Sequence, residues 1–220
     1  MARIRRLVAK GAEERKKIRF ITAARGAHRR DESLALLTAI RDRLKLAEVG
    51  KEARKIIKAR MVKIDGKTVT DPKRGIGLFD TLEVGGKAYR AVPKKRLELV
   101  ESEAGTKLVQ IIGKTAIKGG KIQINFNDGK NMISEKGGYK VLDSLLISLP
   151  DQKVKEHIAL EPGALVLITK GAQAGKTAKL IDIERERSKV WLEDNGQKFE
   201  APLHGVVAVG KDRPLIELGD

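Results

Sequence analysis

The feature that most constrains the fold is a run of short alternating segments that fills the chain from about residue 97 onward. In LVQIIGKTAIKGGKIQINFNDGKNMI, apolar and polar residues alternate, and Gly119-Gly120 and Asp128-Gly129 interrupt the alternation. A period of two is typical of half-buried strands, and these glycine dipeptides are typical of hairpin turns. Because helical periodicity largely disappears here, this part of the chain predicts a β-rich central domain.

The final part of the chain continues the β pattern. Five more short strands are predicted there, at 164–169, 178–183, 189–193, 197–201 and 206–209. Five short strands within about fifty residues are what a small closed barrel requires.

Helical spacing is confined to the first part of the chain. Apolar residues recur at helical spacing from Leu34 to Leu44, and Asp31 or Ser33 can cap a helix that begins there. The stretch GKEARKIIKAR, residues 50–60, predicts a second helix whose apolar residues face inward and whose lysine and arginine residues face outward.

A β-hairpin is predicted directly after the second helix. Val62, Ile64 and Val69 alternate around the tight turn Asp65-Gly66. Asp before Gly is ordinary turn chemistry, so Asp65 is interpreted as a turn residue and not as an acid or base. GLFDTLEVGG then supplies one more strand.

Charge indicates the class of partner. The 220 residues carry 46 Lys+Arg and 29 Asp+Glu, which gives a net charge of +17. Residues 1–60 hold 19 basic and 7 acidic residues, whereas residues 161–220 hold 9 and 10. A polyanion is therefore expected to meet mainly the N-terminal part of the chain. Residues 1–30, with 11 basic and 2 acidic residues, predict a basic arm that becomes ordered on its partner.

Lysine and arginine residues are the predicted contacts with the polyanion, because phosphate contacts are what position a protein on a nucleic acid. They lie in the arm, on the two helices and at the hairpin: Arg3, Arg5, Arg6, Lys10, Lys16, Lys17, Arg29, Arg30, Arg41, Arg43, Lys45, Lys51, Arg54, Lys55, Lys58, Lys63 and Lys67. His28 is predicted to add a phosphate contact. The alternative is an ordinary charged surface in solvent.

If the polyanion is a nucleic acid, aromatic residues are too few for extensive base stacking, so recognition of its shape is expected. Phe20, in the arm, is the one candidate for stacking on a base. The others lie in or beside strand patterns and are predicted to be core residues, Trp191 most firmly: Phe79, Tyr89, Phe126, Tyr139, Trp191 and Phe199.

Several classes of site are not expected. The chain has no cysteine, which excludes disulfides and thiolate metal sites, and its three histidines are scattered. No carboxylate pair, nucleophile-base pair or metal cluster occurs at a persuasive spacing, so we predict no metal, no cofactor, no small-molecule substrate and no catalytic residue. The N-terminus lacks the apolar stretch of a secretory signal, and the longest apolar runs are too short to span a membrane, so an intracellular protein without a membrane partner is expected.

The segment TKGAQAGKTAKL imitates a phosphate-binding loop. A true phosphate loop has four residues between its first glycine and the Gly-Lys pair and precedes a helix, whereas three residues separate Gly171 from Gly175-Lys176 and a strand pattern follows. A nucleotide hydrolase is therefore not favoured. Two strands joined by a glycine turn, with Lys170 and Lys176 near the tip, resemble the KOW motif of SH3-like barrels, although Ala178 stands where that family has a third glycine.

Residues 37–84 resemble the S4 RNA-binding domain, also called the alpha-L motif. The RDRL opening, the ARKII helix and the hairpin around VKIDGK carry the resemblance. With a basic arm before it, phrases such as KTAIKGGKIQINFNDGKN after it and a KOW segment at the end, nearly the whole chain resembles the small-subunit ribosomal protein family S4e of archaea and eukaryotes.

The resemblance implies an α+β, multidomain protein: a small helical and β-hairpin S4 domain, a β-rich central domain and an SH3-like KOW barrel. The expected division is a basic arm at 1–33, the S4-like domain at 34–96, the central domain at 97–160 and the barrel at 161–220.

The function implied by the resemblance is structural. It is that of a non-catalytic constituent of the small ribosomal subunit, which binds rRNA and neighbouring ribosomal proteins in the cytoplasm and supports translation and subunit assembly. The first alternative is an S4 and KOW protein that acts outside the ribosome in transcription elongation or as an RNA chaperone. The second is an RNA-modifying enzyme or nucleotide hydrolase, for which no catalytic domain is found.

Overall fold

A computed structural model describes residues 22–94, 96–135 and 138–219. Helical structure is scarce in these ranges, and the helical segments are α1 at Leu36–Thr38, a π-helical turn at Ala39–Arg43, α2 at Gly50–Lys58 and a 3-10 turn at Leu203–Gly205. No helix in the described ranges is long and apolar enough to cross a membrane.

The N-terminal unit is built on an antiparallel five-stranded sheet of order β3-β2-β5-β6-β7. A separate short pair, β1 with β4, lies beside it. The strands of this unit are β1 Leu34–Ala35, β2 Val62–Ile64, β3 Lys67–Thr68, β4 Gly75–Ile76, β5 Thr81–Val84, β6 Lys87–Pro93 and β7 Leu97–Glu101.

The predicted hairpin and second helix of this unit are confirmed. Asp65 and Gly66 both have positive φ, 51° and 74°, as the tight turn between β2 and β3 requires. In α2, Ala53 and Ile57 are four residues apart and fully buried, so one helix face packs into the core of this unit. At the N-terminus of α2, the Glu52 carboxylate accepts hydrogen bonds from two backbone N–H groups.

The first predicted helix is shorter than expected. Leu34 belongs to strand β1, where it pairs with Ile76, so α1 begins only at Leu36. Neither Asp31 nor Ser33 caps it, since its N-cap residue is Ala35. The leucine and isoleucine residues of the stripe are nevertheless in the core, so burial was predicted correctly although the local conformation was not.

Two more antiparallel five-stranded sheets follow. The central sheet has the order β10-β9-β8-β11-β12, and its strands are β8 Thr106–Ala116, β9 Ile122–Phe126, β10 Asn131–Ser134, β11 Ser144–Ser148 and β12 Val154–Ile158. The C-terminal sheet has the order β16-β15-β14-β13-β17, and its strands are β13 Leu165–Ile168, β14 Thr177–Glu184, β15 Lys189–Asp194, β16 Gln197–Pro202 and β17 Val206–Gly210.

The α+β expectation therefore needs a correction, because the described chain is multidomain but mostly β. The helices are short and few, and they are confined to the N-terminal unit apart from one 3-10 turn. Most of the chain follows the alternating strand pattern that begins near residue 97, and helical periodicity is confined to one stretch before it.

The three sheets pack on one another. Leu108 of β8 and Phe79 of the N-terminal unit are both fully buried in the core of the C-terminal unit. Gln110 of β8 donates a hydrogen bond from Nε2 to the carbonyl oxygen of Val206, at 2.9 Å. The N-terminal and central units thus both contribute to the C-terminal core.

A buried charged cluster joins the N-terminal and central units. The side chain of Lys107 is fully buried, and its Nζ lies 2.8 Å from Asp65 Oδ2, 2.5 Å from Asp80 Oδ1 and 2.8 Å from Asp128 Oδ2. Lys130 Nζ lies 2.7 Å from the same Asp65 oxygen and 3.6 Å from Asp128. We call these five residues the Lys107 cluster.

The end of the predicted arm packs against this cluster. His28 Nε2 lies 2.8 Å from Asp80 Oδ2, and the imidazole covers Gly77 so closely that a Cβ there would lie 2.1 Å from Nδ1. Arg25 donates its backbone N–H to the carbonyl oxygen of Lys73 at 2.7 Å. The prediction that the arm becomes ordered only on its partner therefore fails for this segment, because it is bonded to the N-terminal unit.

The close contacts within the Lys107 cluster shift the pKa values of Asp80, Lys107 and Asp128. Burial acts to raise the pKa of Asp80 and of Asp128. The ammonium group of Lys107 together with further contacts, from His28 and the Gly77 N–H at Asp80 and from the Lys130 N–H at Asp128, outweighs burial and holds both pKa values below their usual range. Burial lowers the pKa of Lys107, and the carboxylates of Asp80, Asp65 and Asp128 outweigh it and raise that pKa. Asp80, Asp128 and Lys107 therefore favour their charged forms.

Replacing Lys107 with methionine is expected to lower the free energy of unfolding by about 3–5 kcal/mol, because three buried carboxylates lose their main counter-ion. Urea denaturation measures the change. Lys114→Met is the matched control, since Lys114 lies on the same strand with an exposed side chain, and its effect is expected to stay within about 0.5 kcal/mol. Equal effects of the two substitutions would contradict a stabilising role for the cluster.

The free energy of unfolding is also expected to depend on pH, through Asp80 and Asp128 of the Lys107 cluster. Because the folded pKa values of Asp80 and Asp128 are depressed, their contribution is complete well above the ordinary aspartate value of 3.8 and is lost as pH falls through the folded values. The difference in unfolding free energy between the wild type and Lys107→Met should therefore shrink below about pH 4. A difference that stays constant from pH 7 to pH 3 would contradict this account.

Candidate RNA-binding surface

Helix α2 presents the clearest basic surface in the described chain. Its buried side holds Ala53 and Ile57, so the lysine and arginine residues at the intervening positions project away from the core. All four of its predicted contacts are exposed, and they are Lys51, Arg54, Lys55 and Lys58. Glu52 is the one acid of the helix, and its carboxylate is used at the helix N-terminus. We call these four residues the α2 basic face.

The residues predicted on the first helix are less accessible. The Arg41 guanidinium makes two short hydrogen bonds to Asp42, of 2.6 and 2.7 Å, and only 15% of its side chain is exposed. Arg43 is partly buried. Lys45 is exposed and lies just after the π-helical turn, with a positive φ of 53°. Of these three, Lys45 resembles the α2 basic face most closely in exposure.

The predicted hairpin contacts are both exposed. Lys63 lies 3.9 Å from Glu83 across the sheet, a distance at which an exposed pair is weak, and 52% of its side chain is accessible. Lys67 lies on the edge strand β3 and is exposed. The hairpin can therefore offer two more cations to an anion.

Most of the arm contacts lie outside the described residues, as does Phe20, and these contacts are Arg3, Arg5, Arg6, Lys10, Lys16 and Lys17. Of the remaining two, Arg30 is exposed, and Arg29 pairs with Asp31 at 3.1 Å while keeping 71% of its side chain accessible. His28 does not fit the predicted phosphate contact. Only 11% of its side chain is exposed, because it is held against Asp80.

The glycine loop of the C-terminal unit faces the N-terminal unit. Lys170 Nζ lies 2.9 Å from Glu32 Oε1. Gly175 has a φ of 93°, and a Cβ there would lie 2.8 Å from the Cα of Lys94, so this position requires glycine for both conformation and space. Gly171 and Lys176 are exposed. Lys170 and Gly175 therefore contact the N-terminal unit, whereas Gly171 and Lys176 form the exposed side of the loop.

The aromatic residues depart from prediction at one position. Phe79 and Phe126 are buried, and Tyr89 and Phe199 pack on core clusters, as expected. Trp191, however, is 37% exposed and donates from Nε1 to Glu184 at 3.0 Å. Its strand neighbours on either side are buried, so alternation directs the indole to the outer face of the sheet.

The role of the cluster carboxylates was not predicted from the sequence. Asp65 does occupy the turn, but its side chain is buried and bonds to two lysines and to the backbone N–H of Thr81. Asp128, interpreted as part of a hairpin turn, also contacts Lys107. A usable signal existed, since Lys107 occupies the same alternating face as Val109 and Ile111, which are core residues.

Two protein families match the chain. Residues 37–82 match the S4 domain, which agrees with the predicted resemblance over 37–84. Residues 86–154, which run from β6 of the N-terminal sheet through β8–β11 of the central sheet to the start of β12, match Ribosomal family S4e.

Curated relatives and a solved structure extend the similarity over most of the chain. The small ribosomal subunit protein eS4 of Methanocaldococcus jannaschii is 40% identical over 210 residues, which cover 88% of this chain and 86% of that protein. The eS4 of Korarchaeum cryptofilum is 35% identical and covers 93% and 90%. The crystal structure of the 30S ribosomal protein S4e from Thermoplasma acidophilum superposes with a TM-score of 0.74 at 33% identity, covering 83% of this chain and 97% of that one. The chain belongs to the S4e family of ribosomal proteins.

Proposed function

We propose that this chain is a structural, rRNA-binding constituent of the small ribosomal subunit that supports translation and subunit assembly. The observation that carries the proposal is the α2 basic face, which lies within the segment that matches the S4 domain. Cations with no buried partner can neutralise phosphates and release counterions, which is the main source of affinity for folded RNA. Lys45, Lys63 and Lys67 extend this surface from the neighbouring turn and hairpin.

The proposed partners are rRNA of the small subunit and neighbouring ribosomal proteins, and the proposed place is the cytoplasm, within the ribosome. The proposed function does not include a catalytic activity. The carboxylates of Asp65, Asp80 and Asp128 could suggest acid-base chemistry, but each contacts Lys107, and burial of the cluster keeps substrates away. The arm residues of the predicted set, together with Phe20, remain proposed RNA contacts.

The C-terminal unit fits a KOW domain on an SH3-like barrel. The strand order β16-β15-β14-β13-β17, with a 3-10 turn before the last strand, supports this assignment. Register shifts in β13 and β14 are the bulges that let a small sheet curl. Gly171 and Lys176 form the open side of the loop and are its proposed RNA contacts, whereas Lys170 and Gly175 serve the internal contact.

An S4 and KOW protein that acts outside the ribosome, in transcription elongation or as an RNA chaperone, is the alternative function. The similarity to eS4 proteins over most of the chain does not favour it. Sedimentation of the native protein in a cell lysate separates the two. Co-migration with small subunits at constant stoichiometry through a high-salt wash supports the ribosomal role, and a mainly free or polymerase-bound pool would contradict it.

Reversing two charges of the α2 basic face tests the proposed interface. The variant Arg54→Glu with Lys55→Glu should bind a small-subunit rRNA transcript about 10- to 100-fold more weakly at 100 mM salt, because each neutralised phosphate contributes roughly tenfold at that salt. The slope of log affinity against log salt should fall by about 2. Filter binding at several salt concentrations measures both quantities.

The matched control is Lys211→Glu with Arg213→Glu, which makes the same change in charge on exposed residues of the C-terminal unit. Its binding should stay close to that of the wild type apart from a small effect of net charge. If both double variants lose affinity equally, general charge explains the binding and α2 is not the interface.

A further inference from the structure

The β8–β9 hairpin of the central unit is a second basic feature that the proposed function does not use. We define it as residues 112–122, which comprise the end of β8, the turn and the start of β9. It carries Lys114, Lys118 and Lys121 and no aspartate or glutamate. All three lysines are exposed.

The tip of this hairpin is open on all sides. Gly119 and Gly120 have φ values of 83° and 72°, and a Cβ at either position would meet nothing within 4 Å. The hydrogen bond from the Ile117 N–H to the Lys121 carbonyl closes the turn at 3.0 Å. The tip of the glycine loop behaves differently, since Gly175 is packed against Lys94. An exposed, side-chain-free tip lets a phosphate backbone approach closely.

The cations of the hairpin are available to a partner. Among the described residues, neither Lys114 nor Lys118 makes an ion pair or a side-chain hydrogen bond. Lys121 pairs with Glu135 at 3.2 Å, but 49% and 79% of the two side chains are exposed, so the pair is weak. Internal pairing therefore does not explain why these lysines are present, whereas it does explain Lys107.

The adjoining sheet face is rich in amide and hydroxyl groups. Gln123 donates to Asn125 at 2.8 Å, and Asn125 donates to the Thr115 hydroxyl at 3.4 Å. Asn131 lies opposite Asn125 in the register, on the same face. Such groups form hydrogen bonds with the 2′-hydroxyl and the exposed base edges of RNA. We call Thr115, Gln123, Asn125 and Asn131 the amide face.

We propose that the β8–β9 hairpin and the amide face form a second RNA-binding site, separate from the α2 basic face. The RNA lies across the end of the hairpin: Lys118 contacts phosphate, the Gly119-Gly120 tip lies against the backbone, and the amide face bonds to 2′-hydroxyl groups on one side. Lys114, which pairs with Ile124 and therefore alternates to the opposite face from Thr115, contacts phosphate on the other side. The ligand is folded RNA, since cations without acids combined with neutral polar groups suit a sugar-phosphate surface better than an acidic protein segment. The site rests on the proposed function, because it supplies a second contact with the same rRNA.

Charge reversal at the hairpin tests the site in the full chain. Lys114→Glu with Lys118→Glu should lower affinity for a small-subunit rRNA transcript about 10- to 100-fold at 100 mM salt and reduce the salt slope by about 2. Combination with the α2 double variant should multiply the two losses, as expected for independent contacts. Lys211→Glu with Arg213→Glu is again the control. A hairpin variant that matches this control would overturn the proposal.

Directed hydroxyl-radical cleavage separates failure of this site from failure of the proposed function. The chain has no cysteine, so a single introduced cysteine can carry the iron chelate without background. Ala116→Cys reports on the hairpin, Ala59→Cys on the end of α2, and Gln197→Cys on the C-terminal sheet; all three positions are exposed.

Strong rRNA cleavage from positions 116 and 59 in reconstituted small subunits, at different sites on the RNA, supports two separate contacts. Cleavage from position 59 alone overturns the hairpin site and leaves that face to a protein neighbour or to solvent. Absence of cleavage from both positions overturns the hairpin site and the proposed function together.

Discussion

The burial of the Lys107 ammonium group among three carboxylates is the interaction on which the arrangement of the molecule depends. Asp65 and Asp80 come from the N-terminal unit, whereas Lys107 and Asp128 come from the central unit. An uncompensated charge in this place would be costly, so the two units are held in the one relative position that satisfies every member. His28 attaches the preceding segment to the same point through Asp80. The basic surfaces of both units are thereby presented to a partner in a fixed geometry.

The same residue type serves two opposite purposes in this chain, and the neighbouring acids decide which one applies. Lys107 and Lys130 are paired internally and stabilise the fold. On α2 and on the β8–β9 hairpin, acids are few or absent and the lysines are exposed, so their charge is available to RNA. Lys170 is intermediate, because it is exposed but bonded to Glu32. Net charge alone therefore overstates the surface available for binding, and the location of unpaired cations defines it better.

The features that were predicted correctly are those that depend on residues close together in the sequence. The Asp65-Gly66 turn, the buried face of α2 and the β-rich character after residue 97 all follow from periodicity and turn residues. Features that depend on distant segments were missed: Leu34 is drawn into a strand by its pairing with Ile76. The cluster requires side chains that are up to 65 positions apart, such as Asp65 and Lys130. The error at Trp191 was avoidable, because residues that alternate with buried neighbours face outward.

The proposed role of this chain, a structural protein of the small subunit, depends on contact between the α2 basic face and rRNA. Electron cryomicroscopy of native small subunits tests it most directly. We expect density for the chain at full occupancy, with the Lys107 cluster still buried and with rRNA phosphates within hydrogen-bonding distance of Lys51, Arg54, Lys55 and Lys58. Subunits that lack the chain, or a bound chain whose α2 basic face points into solvent, would contradict it.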